Sequence, residues 1–125
     1  MNFNEYQQKC LTTDHYPSAA NNYIDIRWSG EDTDKGLCIL LHGMGLVGEA
    51  GEVADKLKKV YRDHSGIFTP EIILALVKEL GDNLWYIATL ADDLGWELED
   101  VAKLNIDKLA IRAQNKTIQG SGDNR

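Results

Sequence analysis

Apolar residues recur at intervals of three and four through most of the chain, the spacing that places them on one face of an α-helix. This pattern predicts helices over residues 3–11, 35–62, 70–94 and 97–113. No stretch alternates strictly between apolar and polar residues, so no strand is expected. The predicted fold class is all-α, with two long antiparallel helices that form a hairpin and shorter helices beside them.

The ends of the predicted helices carry start and stop signals. Gly66 follows the first long helix, and glycine is the usual residue just past a helix C-terminus. Thr69 is the expected N-cap of the second long helix, with Pro70 at its first helical position. Residues 12–34 are rich in Asn, Ser, Asp and Gly, and are expected to form an irregular connection with a short helix around 22–28.

The length of 125 residues suits one domain over 1–125. Within it we expect a variable N-terminal part over 1–34 and a mobile tail over 114–125. The start of the chain is polar, unlike a signal peptide, and no apolar run approaches the roughly 20 residues that span a bilayer. Cys10 and Cys38 have no metal-binding spacing and are expected to be buried, reduced thiols. A cytoplasmic protein without a membrane partner is predicted.

The charge balance narrows the class of partner. Thirteen basic and 20 acidic side chains give a formal net charge of -7. Nucleic acid and anionic lipid are also negatively charged, so neither is an expected partner. An excess of acid suits a surface that binds cations.

Two pairs of acids stand at matching positions in the two long helices. Glu49 and Glu52 lie in the first helix, and Glu79 and Asp82 lie in the second. The spacing within each pair is i, i+3, which places both side chains on one helix face. The 26 residues between the pairs are enough to finish one helix, turn and return antiparallel. The two pairs are therefore expected to face each other across the hairpin.

Glycines inside the predicted helices support a shared pocket, because each costs about 1 kcal/mol relative to alanine in a helix interior. Packing alone would account for Gly43 and Gly45. Gly48, Gly51 and Gly81 border the acids, where a larger side chain could block a bound ion or phosphate.

Four carboxylates in one pocket repel one another unless a cation lies between them, and hard oxygen ligands suit Mg²⁺, with Mn²⁺ as a possible substitute. Two asparagines lie where apolar residues are expected, Asn83 and Asn105, and a structural role for them is as plausible as a functional one. Lys108 and Arg112 follow Asn105 on one helix face and could meet phosphate oxygens, although single cations are more often solvated.

A simpler interpretation stays open beside this one. Glu52 and Lys56 have the i, i+4 spacing of an ordinary surface ion pair, and any single acid is more often exposed than functional. Under this interpretation the chain is a non-catalytic helical interaction module that binds at most a structural divalent ion.

The acid pairs and their surroundings resemble the MazG-like, all-α nucleoside triphosphate pyrophosphohydrolases. The resemblance lies in ExxE followed after 26 residues by ExxD, and in the segments GLVGEAGEVADKLKK, KELGDNLWYIATLADDLG and LEDVAKLNIDKLAIR. It covers roughly residues 35–125, and the ending GSGDNR is similar to those of short bacterial and bacteriophage members. Asn83 departs from the family pattern, in which an aliphatic residue commonly follows ELGD.

The resemblance implies a reaction and a set of metal ligands. The reaction is hydrolysis of an NTP or dNTP between the α- and β-phosphates, which releases the monophosphate and pyrophosphate. The implied Mg²⁺ ligands are Glu49, Glu52, Glu79 and Asp82. Glu52 is the expected general base, and Glu49 is also expected to be a catalytic residue.

The resemblance also implies residues that bind substrate and a homo-oligomer. Asn105 and Lys108 match positions that contact substrate, with Arg112 as a weaker candidate, and Asn83 is expected to affect base or sugar preference. A dimer or tetramer is predicted, because short elements cannot cover the broad apolar arc of the hairpin. Trp85 is expected at an interface or in a second core. The three histidines are assigned no chemistry.

Overall fold

The computed structural model describes residues 1–16, 33–115 and 117–119, and this part of the chain is all-α. It contains four helices, which are α1 (Phe3–Leu11), α2 (Thr33–His64), α3 (Pro70–Asp93) and α4 (Leu98–Gln114). The predicted fold class is confirmed, and each helix begins and ends within two residues of its predicted bounds. The expected helix around 22–28 lies outside the described ranges, as do Lys116 and residues 120–125 of the predicted tail.

The hairpin of α2 and α3 depends on the turn between them. Ser65 and Gly66 both adopt positive φ, of 53° and 77°, and the Gly66 N–H donates to the carbonyl of Val60 at 3.0 Å. The side-chain oxygen of Thr69 then accepts the N–H of Ile72, with Pro70 at the first helical position. The predicted stop and start are confirmed, and they reverse the chain so that α3 packs along α2.

The buried core lies mainly where α1, α3 and α4 meet. Cys10, Ala88 and Leu98 form one buried cluster, and Trp85 packs against it. The Trp85 indole N–H donates to the side-chain oxygen of Thr13 at 2.9 Å, so Trp85 belongs to a core within the chain. Leu37 and Cys38 form a second cluster, and both cysteines are buried thiols outside any disulfide, as expected.

Gln7 holds α1 in place from inside the core, where its side chain is 2% exposed. Its amide nitrogen donates to the carbonyls of Ala88 and Trp96, at 3.1 and 2.9 Å. Its amide oxygen accepts the N–H of Leu98 at 3.0 Å. One side chain therefore ties α1 to α3 and to the start of α4.

Much of the apolar arc of the hairpin remains exposed. Among the described helices, α1 and α4 pack against α3, and α2 packs against α3 alone. Leu57, Ile73 and Leu80 are 39%, 49% and 56% exposed. The expectation that no apolar stretch is long enough to span a bilayer is wrong for α2. Its Gly36–His64 part is long and apolar enough by length and composition, and only 17% of the most apolar stretch is buried. Core helices of soluble proteins can have the same length and apolar composition. In this chain the low burial shows that one apolar face of α2 is left uncovered by the described residues.

Candidate metal centre

Three of the four predicted carboxylates come together between α2 and α3. Glu49 extends from α2, and Glu79 and Asp82 extend from neighbouring positions on one face of α3. One carboxylate oxygen from each residue lies within 4.8 Å of the others. Glu49 and Glu79 are half-buried and Asp82 is exposed, so the cluster opens to solvent. Pairing across the hairpin is the arrangement that the matched spacing predicted.

Glu52 lies outside this cluster. Its side chain is 59% exposed, and its carboxylate is 3.9 Å from the ammonium of Lys56. The same ammonium lies 3.0 Å from a carboxylate oxygen of Glu79. Glu52 is therefore linked to the cluster through Lys56, and the surface pair considered from the sequence is present as well. A role for Glu52 as ligand or base stays a prediction.

The crowding of the acids appears in their electrostatics. Burial raises the pKa of Glu49, and the charges of Asp82, Glu79 and Glu52 raise it further, while Lys56 acts in the opposite direction. The hydrogen bond to Glu79 raises the pKa of Lys56 in return. A carboxylate whose ionised form is disfavoured by its neighbours gains most from a cation placed among them.

The residues present fit a hard divalent cation. The donors are carboxylate oxygens, the ligands that Mg²⁺ and Mn²⁺ prefer. A Cβ added at Gly48, Gly51 or Gly81 would meet no atom within 4 Å. These three glycines therefore border open space rather than a packed neighbouring element.

Gly45 has a different role, because the ring of Tyr86 packs against it. A Cβ at Gly45 would overlap the Tyr86 ring, so only glycine lets this ring approach α2. The close packing that the sequence allowed for Gly45 is present.

Tyr86 itself was missed from the sequence, although it follows Asp82 by one helical turn. Its hydroxyl is 3.4 Å from that of Tyr16. The contact with Tyr16, burial, and the charges of Glu49 and Asp82 raise the pKa of Tyr86 to about 12. Tyr86 therefore borders the cluster. Two spacings in the sequence could have indicated this contact. Tyr86 follows Asp82 by one helical turn, and Gly45 precedes Glu49 by one helical turn.

The predicted substrate residues are distributed over two helices. Asn83 is half-buried, and its side-chain amide donates to the carbonyl of Glu79 at 2.8 Å, which gives it at least a structural role. Asn105 and Lys108 line a surface hollow of about 660 Å³ on α4, together with Trp96, Val101 and Leu104. None of the three carboxylates lines this hollow.

Arg112 is buried, whereas a cation at such a position is usually exposed to solvent. Its side chain is 6% exposed, buried near the C-terminal end of α4. Its backbone carbonyl accepts the N–H of Thr117 at 2.8 Å. Helical spacing placed Arg112 on the face of Lys108 but could not show that its side chain is buried.

The helical hairpin gathers acids from both of its helices at one point, and such a cluster could hold a divalent cation. Residues 41–117, more than half of the chain, match the MazG nucleotide pyrophosphohydrolase domain. The chain therefore belongs to this family, whose enzymes act on nucleotides and depend on divalent metals. It is also 44% identical over 116 residues to the Gene 37 protein of Mycobacterium phage L5, covering 92% of this chain and 100% of the phage protein. No solved structure shows significant similarity to the chain.

Proposed function

We propose that the protein is a Mg²⁺-dependent nucleoside triphosphate pyrophosphohydrolase. It cleaves an NTP or dNTP between the α- and β-phosphates, and the products are the monophosphate and pyrophosphate. The observation that carries the proposal is the gathering of Glu49, Glu79 and Asp82 within 4.8 Å, at the ExxE and ExxD positions of a MazG domain. Mn²⁺ is a possible substitute, because it prefers the same oxygen ligands.

In the proposed mechanism, Glu49, Glu79 and Asp82 hold the metal, with Glu52 as a fourth ligand or as the base. When bound there, Mg²⁺ would supply charge neutralisation of the phosphates and would make a water more acidic. Glu52 suits the base because its exposed carboxylate lies outside the crowded cluster and can accept a proton from the attacking water. Lys56 lies beside it with an ammonium that can turn towards a phosphate oxygen.

Substrate recognition is assigned to residues outside the metal cluster, since metal and phosphates are common to all nucleotides. We propose that Asn105, Lys108 and Arg112 support phosphate binding and that Asn83 affects base or sugar preference. We also assign base or sugar preference to Trp28 and its neighbours over 23–34, of which residues 23–32 lie outside the described part of the chain.

We further propose that the protein is a cytoplasmic homo-oligomer, a dimer or a tetramer with a bundle of helices at its interface. Exposed apolar side chains along the hairpin support this, as does the low burial of α2 within one chain. Contiguous exposed apolar surface of this kind commonly marks an interface. A second copy would also bring a further helix to the side of α2 that α4 does not reach.

Pyrophosphate release from the eight common NTPs and dNTPs, with Mg²⁺ and with EDTA, tests the proposal directly. We expect metal-dependent release from at least one nucleotide, and loss of release in Glu49→Gln. Asp55→Asn is the matched control, because Asp55 lies on the same helix but pairs with Lys58 and Lys59. An active Glu49→Gln would contradict the proposal. Metal binding without hydrolysis of any nucleotide would favour the interaction module, which the exposed apolar face also permits.

A further inference from the structure

His42 is fully buried, with a carboxylate at each ring nitrogen. Nδ1 lies 2.5 Å from Oδ2 of Asp93, and Nε2 lies 3.2 Å from Oδ1 of Asp14. An ionised carboxylate only accepts hydrogen bonds, so both ring nitrogens need a proton to satisfy both contacts. Burial lowers the pKa of the ring, but the two carboxylates outweigh burial and leave the pKa of His42 raised above 6.5. The geometry thus favours an imidazolium between two acids.

This triad joins three separate segments of the chain. Asp14 lies in the turn after α1, His42 lies within α2, and Asp93 is the last residue of α3. The side chains of the two acids are only 5% and 11% exposed. Burying charged groups carries a desolvation cost that offsets much of their attraction. A triad buried to this extent is therefore better explained by how it fixes the relative positions of the three segments than by a gain in stability.

The triad continues towards the carboxylate cluster through Tyr16. Oδ1 of Asp14 also accepts the backbone N–H of Tyr16 at 3.0 Å. The Tyr16 ring packs edge-on against His42, with centroids 4.8 Å apart, and its hydroxyl lies 3.4 Å from that of Tyr86. The Tyr86 ring packs over Gly45, which precedes Glu49 by one helical turn. An unbroken series of contacts therefore connects His42 to the cluster.

We propose that His42 is a positioning residue for the metal cluster. The triad holds Tyr16 against Tyr86, and Tyr86, wedged over Gly45, sets the separation of α2 and α3 where Glu49 meets Asp82. This proposal deepens the proposed function and rests on one part of it, namely that the carboxylate cluster binds a divalent cation. Metal–oxygen distances allow little variation, so a small shift between the two helices weakens coordination.

Binding of Mn²⁺ alone to the full chain, without nucleotide, tests this role. We would compare wild type, His42→Asn and Tyr16→Phe, with Gln7→Met as the matched control. Gln7 is equally buried and also ties α1 to the rest of the fold, but its contacts lie on the carbonyls of Ala88 and Trp96 and the N–H of Leu98. Each variant would be characterised by its Mn²⁺ dissociation constant, its melting temperature and the electron paramagnetic resonance spectrum of bound Mn²⁺.

We expect His42→Asn to weaken Mn²⁺ binding about tenfold, the size of effect seen when groups that orient metal ligands are removed. Tyr16→Phe keeps the triad and removes one hydroxyl, so it should weaken binding by a smaller factor in the same direction. Both should alter the Mn²⁺ spectrum. Gln7→Met should lower the melting temperature and bind Mn²⁺ like wild type.

The role is overturned if folded His42→Asn binds Mn²⁺ within twofold of wild type, if Gln7→Met weakens binding equally, or if wild type binds no Mn²⁺. If His42→Asn does not fold, Tyr16→Phe decides, and unchanged binding there overturns the role. Failure of the proposed hydrolase has a separate signature. A protein with the expected Mn²⁺ differences that releases no pyrophosphate supports the positioning role and contradicts the hydrolase.

Discussion

The ammonium of Lys56 on α2 lies 3.0 Å from a carboxylate oxygen of Glu79 on α3, across the hairpin. The charge of Lys56 therefore partly neutralises the acid cluster. A divalent cation that binds to Glu79 has to displace this contact or share the carboxylate with it. Lys56 is expected to oppose the metal and to favour an anionic substrate.

Replacement of Lys56 with methionine should separate these two effects. We expect Lys56→Met to tighten Mg²⁺ or Mn²⁺ binding roughly threefold, because a nearby positive charge is removed. The KM for nucleotide should rise at the same time, since a cation near the phosphates is lost. Lys59→Met on the same helix is the control, because Lys59 pairs with Asp55. Weaker metal binding in Lys56→Met would contradict this account.

Glu49→Gln should relieve repulsion in the metal-free protein. The pKa of Glu49 is raised in the fold, so the folded state binds its proton more tightly than the unfolded state does. Ionisation of Glu49 therefore lowers stability as the pH rises above about 4.5, and this loss is complete above the raised pKa. At pH 7 in EDTA, Glu49→Gln should melt at the same temperature as wild type or higher.

Added metal should reverse the order of the melting temperatures of wild type and Glu49→Gln. At a hundredfold excess over its dissociation constant, Mg²⁺ should stabilise wild type by about 2.7 kcal/mol. Glu49→Gln should gain clearly less in the same thermal melts. A wild-type melting temperature that does not respond to Mg²⁺ would contradict a metal role for the cluster.

The stability of the fold should decline as His42 loses its proton. Since the pKa of His42 is raised in the fold, its contribution to stability is fully present below about pH 6.5 and is lost as the pH rises through the folded-state pKa. The groups that face His42 are the carboxylates of Asp14 and Asp93 and the rings of Tyr16 and Tyr86.

Urea unfolding between pH 6 and 9 measures this decline. His42→Asn should remove most of it, whereas the exposed His64→Asn should leave it in place. An equal slope in wild type and His42→Asn would show that His42 is not the titrating group.

Two glycines on α2 should respond in opposite ways to alanine. A Cβ at Gly45 overlaps the Tyr86 ring, so Gly45→Ala should lower the melting temperature and weaken Mn²⁺ binding. A Cβ at Gly48 meets nothing within 4 Å, so Gly48→Ala should stabilise the helix by up to about 1 kcal/mol. Thermal melts of both variants with and without Mn²⁺ test the pair. Equal losses of stability would contradict the packing of Tyr86 on Gly45.

The exposed face of the hairpin should bury against a second copy of the chain. Sedimentation at micromolar concentration is expected to show a dimer or tetramer of the 14.0 kDa chain. Leu80→Glu, at a position that is 56% exposed in the single chain, should shift the distribution towards monomer because it places a charge in an apolar interface. A stable, fully active wild-type monomer would contradict the proposed assembly.

The sequence by itself determined the features that depend on neighbouring residues. The helix bounds follow from apolar spacing, from the Thr69 cap with Pro70, and from the Gly66 stop, which act over one or two turns. The i, i+3 spacing fixed which acids share a face of their own helix. The length of the connection then required the two helices to return side by side, so the gathering of Glu49 with Glu79 could be predicted.

Only the tertiary structure decided how distant segments meet. His42 is 28 residues from Asp14 and 51 from Asp93, and Tyr16 is 70 from Tyr86, so no local spacing reports these contacts. The position of Glu52 outside the cluster likewise depends on the rotation of α2 about its axis, whereas its i, i+4 pairing with Lys56 is local. Packing of the Tyr86 ring against Gly45 constrains that rotation, because ring and backbone can approach at one relative position of the two helices.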